Sequence, residues 1–219
     1  IEETKYWDYL DIALKNSNNE SLEINSNHYL SVKASLAELL EKKITQTMVS
    51  DVPLGAFLSG GYDSSCVVAF MQKNSTSKIK TFSIGFDEKL YNEAQHAKEI
   101  SSILGTDHNE LYLSKNDLLD TISTLPAVYS EPFADSSQIP TILLSKLTKS
   151  QVTVSLSGDG GDEIFGGYSK YFLGDRIKQS LGLIPSSLRK GIKHSKALSL
   201  IQPVARYFLQ NSVTNFDQK

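Results

Sequence analysis

A single cysteine in 219 residues excludes an internal disulfide framework and a Cys-rich zinc site. That residue, Cys66, lies among apolar neighbours in "SSCVVAFM" and reads as a small buried hydrophobe. The histidines His28, His96, His108 and His194 show no metal-ligand spacing and read as ordinary packing or surface positions. No run of 18 apolar residues is present, so no transmembrane helix is legible in the sequence. The opening "IEETKYWDYLDIALKNSNNE" lacks the basic start and apolar stretch of a secretory signal, and a cytoplasmic location is expected. Charge of one sign is also lacking: 22 Lys and Arg stand against 25 Asp and Glu, a net charge of −3. That balance gives no general pull toward nucleic acid or an anionic membrane, so neither is expected as a partner. There are no internal repeats and no low-complexity block. An initiator Met is missing as well, and the expectation is a piece of a longer chain.

With 40% hydrophobic residues, a chain of this length can bury one sizeable core. The polar run "KNSNNESLEINSN" reads as a linker that closes an N-terminal segment, residues 1–27. From His28 to Asp51, Val32, Leu36, Leu39, Leu40 and Ile44 recur at helical spacing, which predicts an amphipathic helix packed on the domain. "LGAFL" is a short apolar run of the kind found in strands buried on both faces, and "SSCVVAFMQ" after it reads as a helix. "IKTFSIGF" predicts a second strand. Asn92 with Gln95 resembles a capping box that opens the helix "EAQHAKEISSILG", closed by Gly105. "HNELYL" follows as a strand, then a helix near 116–128, a helix in "QIPTILLSKLTK" and a further buried strand in "VTVSLSG". Strands alternating with helices predict an α/β fold, an open parallel sheet with helices on both faces, over residues 28–175. Residues 176–219 read as a helical tail belonging to a longer domain. Between Lys170 and Arg206 eight Lys or Arg oppose one acid, Asp175, which predicts a solvated helical face or one side of a domain that continues.

Two strand-to-helix turns carry the chemistry. "LSGGYDSS" follows the first strand, and "LSGDGGDEIFGGY" follows the last. In open parallel sheets ligands bind at the C-terminal strand ends near a topological switch point, so both turns are expected at one pocket. Neither is a Walker A loop with its phosphate-binding Lys, and neither is a G-x-G-x-x-G dinucleotide turn. Where a cation would be expected, both carry acids. A carboxylate next to polyphosphate is repelled by several kcal/mol at about 4 Å and an effective dielectric near 20. Mg²⁺ between them reverses the sign, and it commonly takes one or two protein carboxylates with phosphate oxygens and water. Asp63 and Asp162 are therefore the candidate metal ligands.

The stretch Ser59–Ser65, "SGGYDSS", resembles the S-G-G-x-D-S pyrophosphate loop of the N-type ATP pyrophosphatases. Leu156–Tyr168, "LSGDGGDEIFGGY", is similar to the second loop of the asparagine synthetases, and "EPFADSSQIPTILLSKL", "TFSIGF" and "GTDHNELYL" fit the synthetase domain of the glutamine-hydrolysing asparagine synthetase family. The likeness runs from about Trp7 to about Phe172 and implies an adenine nucleotide alpha-hydrolase-like, Rossmann-like fold. It also implies that Leu58 and Ile84 flank adenine and ribose, that Ser59, Gly60, Gly61 and Ser64 cradle pyrophosphate, and that Ser157 and Gly158 line the nucleotide on the other side. Asp63 and Asp162 would hold Mg²⁺. Asp159 is the implied catalytic position, where several asparagine synthetases carry the longer Glu. Glu131 and Asp135 are candidates for the acceptor pocket, with helix capping as their alternative role. Tyr168 and Phe165 are expected to pack the second turn's helix.

The implied reaction is an ATP-dependent ligation. A carboxylate, aspartate by the family's usual chemistry, is adenylated with release of pyrophosphate, and ammonia from a separate glutaminase domain attacks the acyl-adenylate to form the amide. The Lys that relatives place on the phosphates is expected beyond Lys219. The implied partners are ATP, a small carboxylate, ammonia and a second copy of the chain in a homodimer. Readings that stay open are a relative amidating another carboxylate, a cyclising relative, and a nucleotide-binding module without catalysis. A tRNA-thiolating relative would want a second cysteine, which is absent.

Overall fold

A computed structural model describes residues 26–86, 93–132 and 134–174, together with Lys5, Asp8, Leu10 and Leu14 near the start. The linker expected before residue 28 and the helical tail expected after 175 lie outside the described residues, as does Asn92. The described elements are α1 (Ser26–Thr47), β1 (Leu54–Phe57), α2 (Tyr62–Lys73), β2 (Lys80–Phe86), α3 (Ala94–Leu104), β3 (Asp107–Leu113), α4 (Lys115–Ile122), α5 (Leu125–Val128), α6 (Gln138–Lys149), β4 (Val154–Leu156) and α7 (Gly161–Phe165).

The strands form one parallel sheet in the order β3-β2-β1-β4. The chain thus builds outward from β1 to β3, then crosses back to set β4 on the other side of β1. That reversal is a topological switch point, and it lies between the two strands that feed the Gly-rich turns. The expected α/β architecture is what the chain adopts.

Period-2 alternation sorts the residues of the sheet onto its two faces. Ala56 and Leu58 are buried with Val68 and Met71 of α2, Ile79 and Ala97 of α3, and Ile44 and Met48 at the end of α1 pack against this cluster. On the opposite face, Gly55 lies under Phe82 and Val152, and α6 packs on β2. Each fully buried apolar side chain of this kind contributes about 1.5–3 kcal/mol. Lys80 reaches Gln151 across the sheet at 3.1 Å, and Gln151 in turn donates to Asn109 at 2.7 Å, which ties β2, β3 and the approach to β4 together.

The structure bears on four sequence expectations. First, α1 packs only through its last turns. Val32, Leu36 and Leu39 are 50%, 37% and 52% exposed, because a 22-residue helix is about 33 Å long and outruns the 12-residue α2 beneath it. Glu41, joined to Lys73 at 2.8 Å and Asn74 at 3.1 Å, marks where the two helices meet. Second, the capping box expected of Asn92 with Gln95 lies half outside the described residues, at Asn92. The N-cap of α3 is Glu93 without a side-chain cap, and Gln95 donates instead to Glu99 one turn along, although the helix does end at Gly105 as expected. Third, the helix expected near 116–128 divides into α4 and α5. Ser123 and Thr124 turn their hydroxyls back on the carbonyls of Asp120 and Thr121, and Pro126 lacks the N–H that a continuous helix would use. α4 itself opens on a capping box between Ser114 and Asp117. Fourth, β4 is not a buried strand. It spans three residues with Val154 41% exposed, and among the described residues only β1 pairs with it, at the sheet edge.

Among the described residues no helix is long and apolar enough to cross a membrane. One position tests the sheet packing. A Cβ at Gly55 would stand 2.8 Å from the Phe82 ring and 2.9 Å from the Lys80 carbonyl. Gly55→Ala is expected to destabilise the fold by about 2 kcal/mol through overpacking, read as a lower urea midpoint. An unchanged midpoint would contradict this packing.

Candidate active site

The first turn is built from the end of β1. Leu58 continues the strand, its amide donating to the Phe82 carbonyl at 2.9 Å, and is 1% exposed. Gly60 then takes φ 87°, and it lies so close to α3 that a Cβ would meet Ala97 N and His96 Cβ at 2.8 Å. Only glycine combines that left-handed backbone with that approach. Gly61 is the N-cap of α2. The hydroxyls of Ser59 and Ser64 lie 3.0 Å apart and close the turn, with the Ser59 amide donating to Ser64 Oγ at 3.3 Å. Asp63 is in the first turn of α2, where a carboxylate suits the helix dipole, but it caps nothing.

The second turn follows β4 and lies directly on the first. A Cβ at Gly158 would stand 2.6 Å from the Ser64 amide nitrogen, and one at Gly161 would stand 2.5 Å from Asp63 Oδ2. The Asp63 carboxylate therefore rests against the residue preceding Asp162. Among the described residues, neither Asp63 nor Asp162 has a side-chain hydrogen bond or ion pair. Ser157 donates its hydroxyl to Asp159 at 3.0 Å, which holds that carboxylate at the mouth of the turn.

Both turns open on one cavity of about 920 Å³. The structure brings Leu58, Ser59, Gly61, Asp63, Ser64, Ile84, Asp135, Ser157, Gly158, Asp159 and Asp162 to its wall. Gly60 and Glu131 are not on that wall. Gly60 shapes the turn from behind, and Glu131 is exposed ahead of α6. Asp135 accepts the Ser137 amide at 2.8 Å, so it both structures the approach to α6 and faces the cavity, and that hydrogen bond holds its carboxyl below the usual range.

Other wall residues went unread in the sequence. Phe82 and Phe86 join the expected Leu58 and Ile84 on an apolar side of the wall, while Pro140, Thr141 and Leu144 come from one face of α6. Nothing in their chemistry marks such residues, because only the crossing of α6 over β2 brings them to the cavity. Glu93 and Glu163 add carboxylates. With Asp63, Asp135, Asp159 and Asp162, they make an acidic wall that includes no Lys or Arg among the described residues. A group of three or more His, Cys, Asp or Glu arranged to hold a metal by themselves is not found among the described residues. A pair of carboxylates suits Mg²⁺ that takes its other ligands from phosphate and water.

Tyr168 meets the second turn's helix as expected, through Glu163 of α7, and faces the cavity as well. Its hydroxyl donates to Glu163 Oε1 at 2.7 Å. Lys170 Nζ lies 4.1 Å from the ring centroid, and Tyr171 meets the ring edge-on at 5.7 Å. Phe165 is 54% exposed and absent from the cavity wall. The hydrogen bond to Glu163, with the surrounding negative charge of Glu163 and Asp162, pushes the Tyr168 phenol up to about 12. In a phenolate absorbance titration, the transition lost in Tyr168→Phe is expected near pH 12, and Glu163→Gln should move it down toward the ordinary value of 10. A Tyr168 transition near 10 in the parent chain would contradict the hydrogen bond.

The family model for asparagine synthase matches residues 35–215. A Methanocaldococcus jannaschii protein, provisionally named asparagine synthetase (glutamine-hydrolyzing) 2, is 45% identical over 141 residues, covering 64% of this chain and 27% of the relative. Asparagine synthetase (glutamine-hydrolyzing) 1 of Bacillus subtilis is 38% identical over 156 residues, covering 69% and 24% respectively. The chain thus spans about a quarter of the length of these curated relatives. Among solved structures, an NMN synthetase from Francisella tularensis superposes with a TM-score of 0.45 at 14% identity, over 62% of this chain and 58% of that one. With the family match extending across both Gly-rich turns and the sheet that presents them, the chain belongs to the asparagine synthase family.

Proposed function

We propose that this chain carries the nucleotide-binding half of an ATP-dependent amide-forming ligase, in which a carboxylate is adenylated and ammonia then displaces AMP to form the amide. Aspartate is the proposed acceptor and asparagine the product. Ammonia would come from a glutaminase domain of the longer protein. The observation that carries this reading is the contact of the Asp63 carboxylate with Gly161, which joins two acid-bearing Gly-rich turns at one cavity.

The residues divide the work. Leu58, Phe82, Ile84 and Phe86 offer an apolar wall that fits a purine base, and the amides at the start of α2 face the polyphosphate. Asp63 and Asp162 would hold Mg²⁺, which when bound neutralises charge on the phosphates and the departing pyrophosphate. Among the described residues the wall is acidic and includes no Lys or Arg, so this part of the site would repel ATP without the metal. The attacking carboxylate is already ionised and needs no general base. Asp159, oriented by Ser157, stands between the nucleotide wall and the metal acids, where it can position the reacting carboxylate or the incoming ammonia.

Titration with ATP checks the metal assignment. Asp63→Asn and Asp162→Asn should each weaken nucleotide binding far more in Mg²⁺ than in EDTA, and equal losses in both media would reject a metal bridge. The reaction itself is tested by pyrophosphate release from the longer protein with ATP, ammonia and a panel of carboxylates. Aspartate-dependent release is expected. In that assay Asp159→Ala should lower kcat about 10²-fold, the scale for loss of one oriented polar group. An unchanged kcat with a raised KM for ATP would make Asp159 a binding group only.

A further inference from the structure

Of the six acids on the cavity wall, Glu93 is the one to which the ATP reading gives no task. Asp63 and Asp162 are the proposed metal pair. Asp135, Asp159 and Glu163 are each held by a neighbour, the Ser137 amide, the Ser157 hydroxyl and the Tyr168 hydroxyl. Glu93 lines the cavity and is exposed. It is the N-cap residue of α3, yet its side chain caps nothing, and among the described residues its carboxylate has no hydrogen bond or ion pair.

Two contacts fix its place in the fold. The Ala97 amide donates to the Glu93 carbonyl at 3.1 Å, and a Cβ at Gly60 would strike that same amide nitrogen at 2.8 Å, so the opening turn of α3 rests on the first Gly-rich turn. Ala94, the next residue, lies against the end of β2, where a Cβ at Gly85 would stand 3.1 Å from the Ala94 Cβ. Glu93 therefore stands at the C-terminal end of the sheet, between the turn after β1 and the last residues of β2, Ile84 and Phe86 of the apolar wall. The second turn, with Asp162, follows β4 on the opposite flank of β1. At about 4.8 Å between neighbouring strands, β2 and β4 are about 10 Å apart, which sets Glu93 off from the second turn.

The dipole of α3 favours an ionised carboxylate at its N-terminus. Such a group repels a polyphosphate unless the ligand brings it donors. In ATP the uncharged donors are the two ribose hydroxyls and the amino group of the base. On the proposed reading the base lies on the apolar residues of β2 and α6 and the phosphates lie at the start of α2. The ribose joins the two, and Glu93 stands between those two regions. A carboxylate has two oxygens with which to accept from a vicinal diol, and in dinucleotide-binding sheets an acid beyond the first Gly-rich turn takes a ribose hydroxyl.

We infer that Glu93 is the residue that reads the sugar of the nucleotide, its carboxylate accepting hydrogen bonds from the ribose hydroxyls. The inference rests on the ATP site proposed above and gives that site a preference for ribonucleotides.

The test is calorimetry on the whole 219-residue chain, with the Mg²⁺ complexes of ATP, 2′,3′-dideoxy-ATP, inosine triphosphate and tripolyphosphate as probes. The parent chain should bind ATP about tenfold tighter than dideoxy-ATP, the scale of a hydrogen bond to a charged group. Glu93→Ala should weaken ATP to the level of dideoxy-ATP and leave dideoxy-ATP and tripolyphosphate no weaker than before. Inosine triphosphate, which keeps the ribose and lacks the amino group, should lose affinity in Glu93→Ala by the same factor as ATP. A metal ligand or a merely structural residue would cost affinity for tripolyphosphate as well. Equal affinities of the parent for ATP and dideoxy-ATP, an inosine triphosphate affinity indifferent to Glu93→Ala, or a loss shared by tripolyphosphate would overturn the inference while leaving the ATP site standing. No binding of Mg²⁺–ATP by the parent chain would overturn both.

Discussion

The close approach of the second Gly-rich turn to the start of α2 is the constraint on which the rest of the site depends. Gly158 leaves no room for a side chain above the Ser64 amide, and Gly161 leaves none beside the Asp63 carboxylate. Adjacency of β1 and β4 brings the two turns to the same edge, but the missing side chains let them touch. Through that contact, two stretches about 100 residues apart in the sequence present acids to one volume. A side chain at either glycine would push the turns apart and separate the acids that this arrangement unites.

Electrostatics then sets what the cavity can accept. Its wall includes six acids, Asp63, Glu93, Asp135, Asp159, Asp162 and Glu163, and no Lys or Arg among the described residues. A polyphosphate entering alone would meet like charge on several sides. On the proposed reading, the same wall with a divalent ion would accept the Mg²⁺ complex, and metal dependence would follow from the wall itself. Asp135 and Glu163 are each fixed by a neighbour, the Ser137 amide and the Tyr168 hydroxyl, so the negative field is held in place by local hydrogen bonds.

The elements of the sheet were legible because parallel strands buried on both faces are nearly continuous apolar runs, as in "LGAFL" and "IKTFSIGF", and because helices such as α6 match their periodic stretch end to end. Misreadings fell where local pattern is indifferent to what packs on it. The apolar residues of α1 have helical spacing along their whole length, yet only the last turns have α2 beneath them. "VTVSLSG" is apolar enough for a central strand, and its place at the edge of the described sheet follows from the strand order. In the turns, glycines with acids at fixed offsets gave most of the site. Phe82 and the α6 residues gave no signal, since a residue lining a cavity from the middle of an element has no special chemistry.

The sequence by itself therefore determined the layered α/β class, the two turns and the acids they carry, because those depend on local backbone freedom, periodicity and residue type. Tertiary structure alone decided that β4 lies against β1, that Asp63 rests on Gly161, and that His108 reaches a serine of the neighbouring strand. Each of these is a meeting of residues far apart in the chain, settled by the crossover and by side chains that are small or absent where two segments touch.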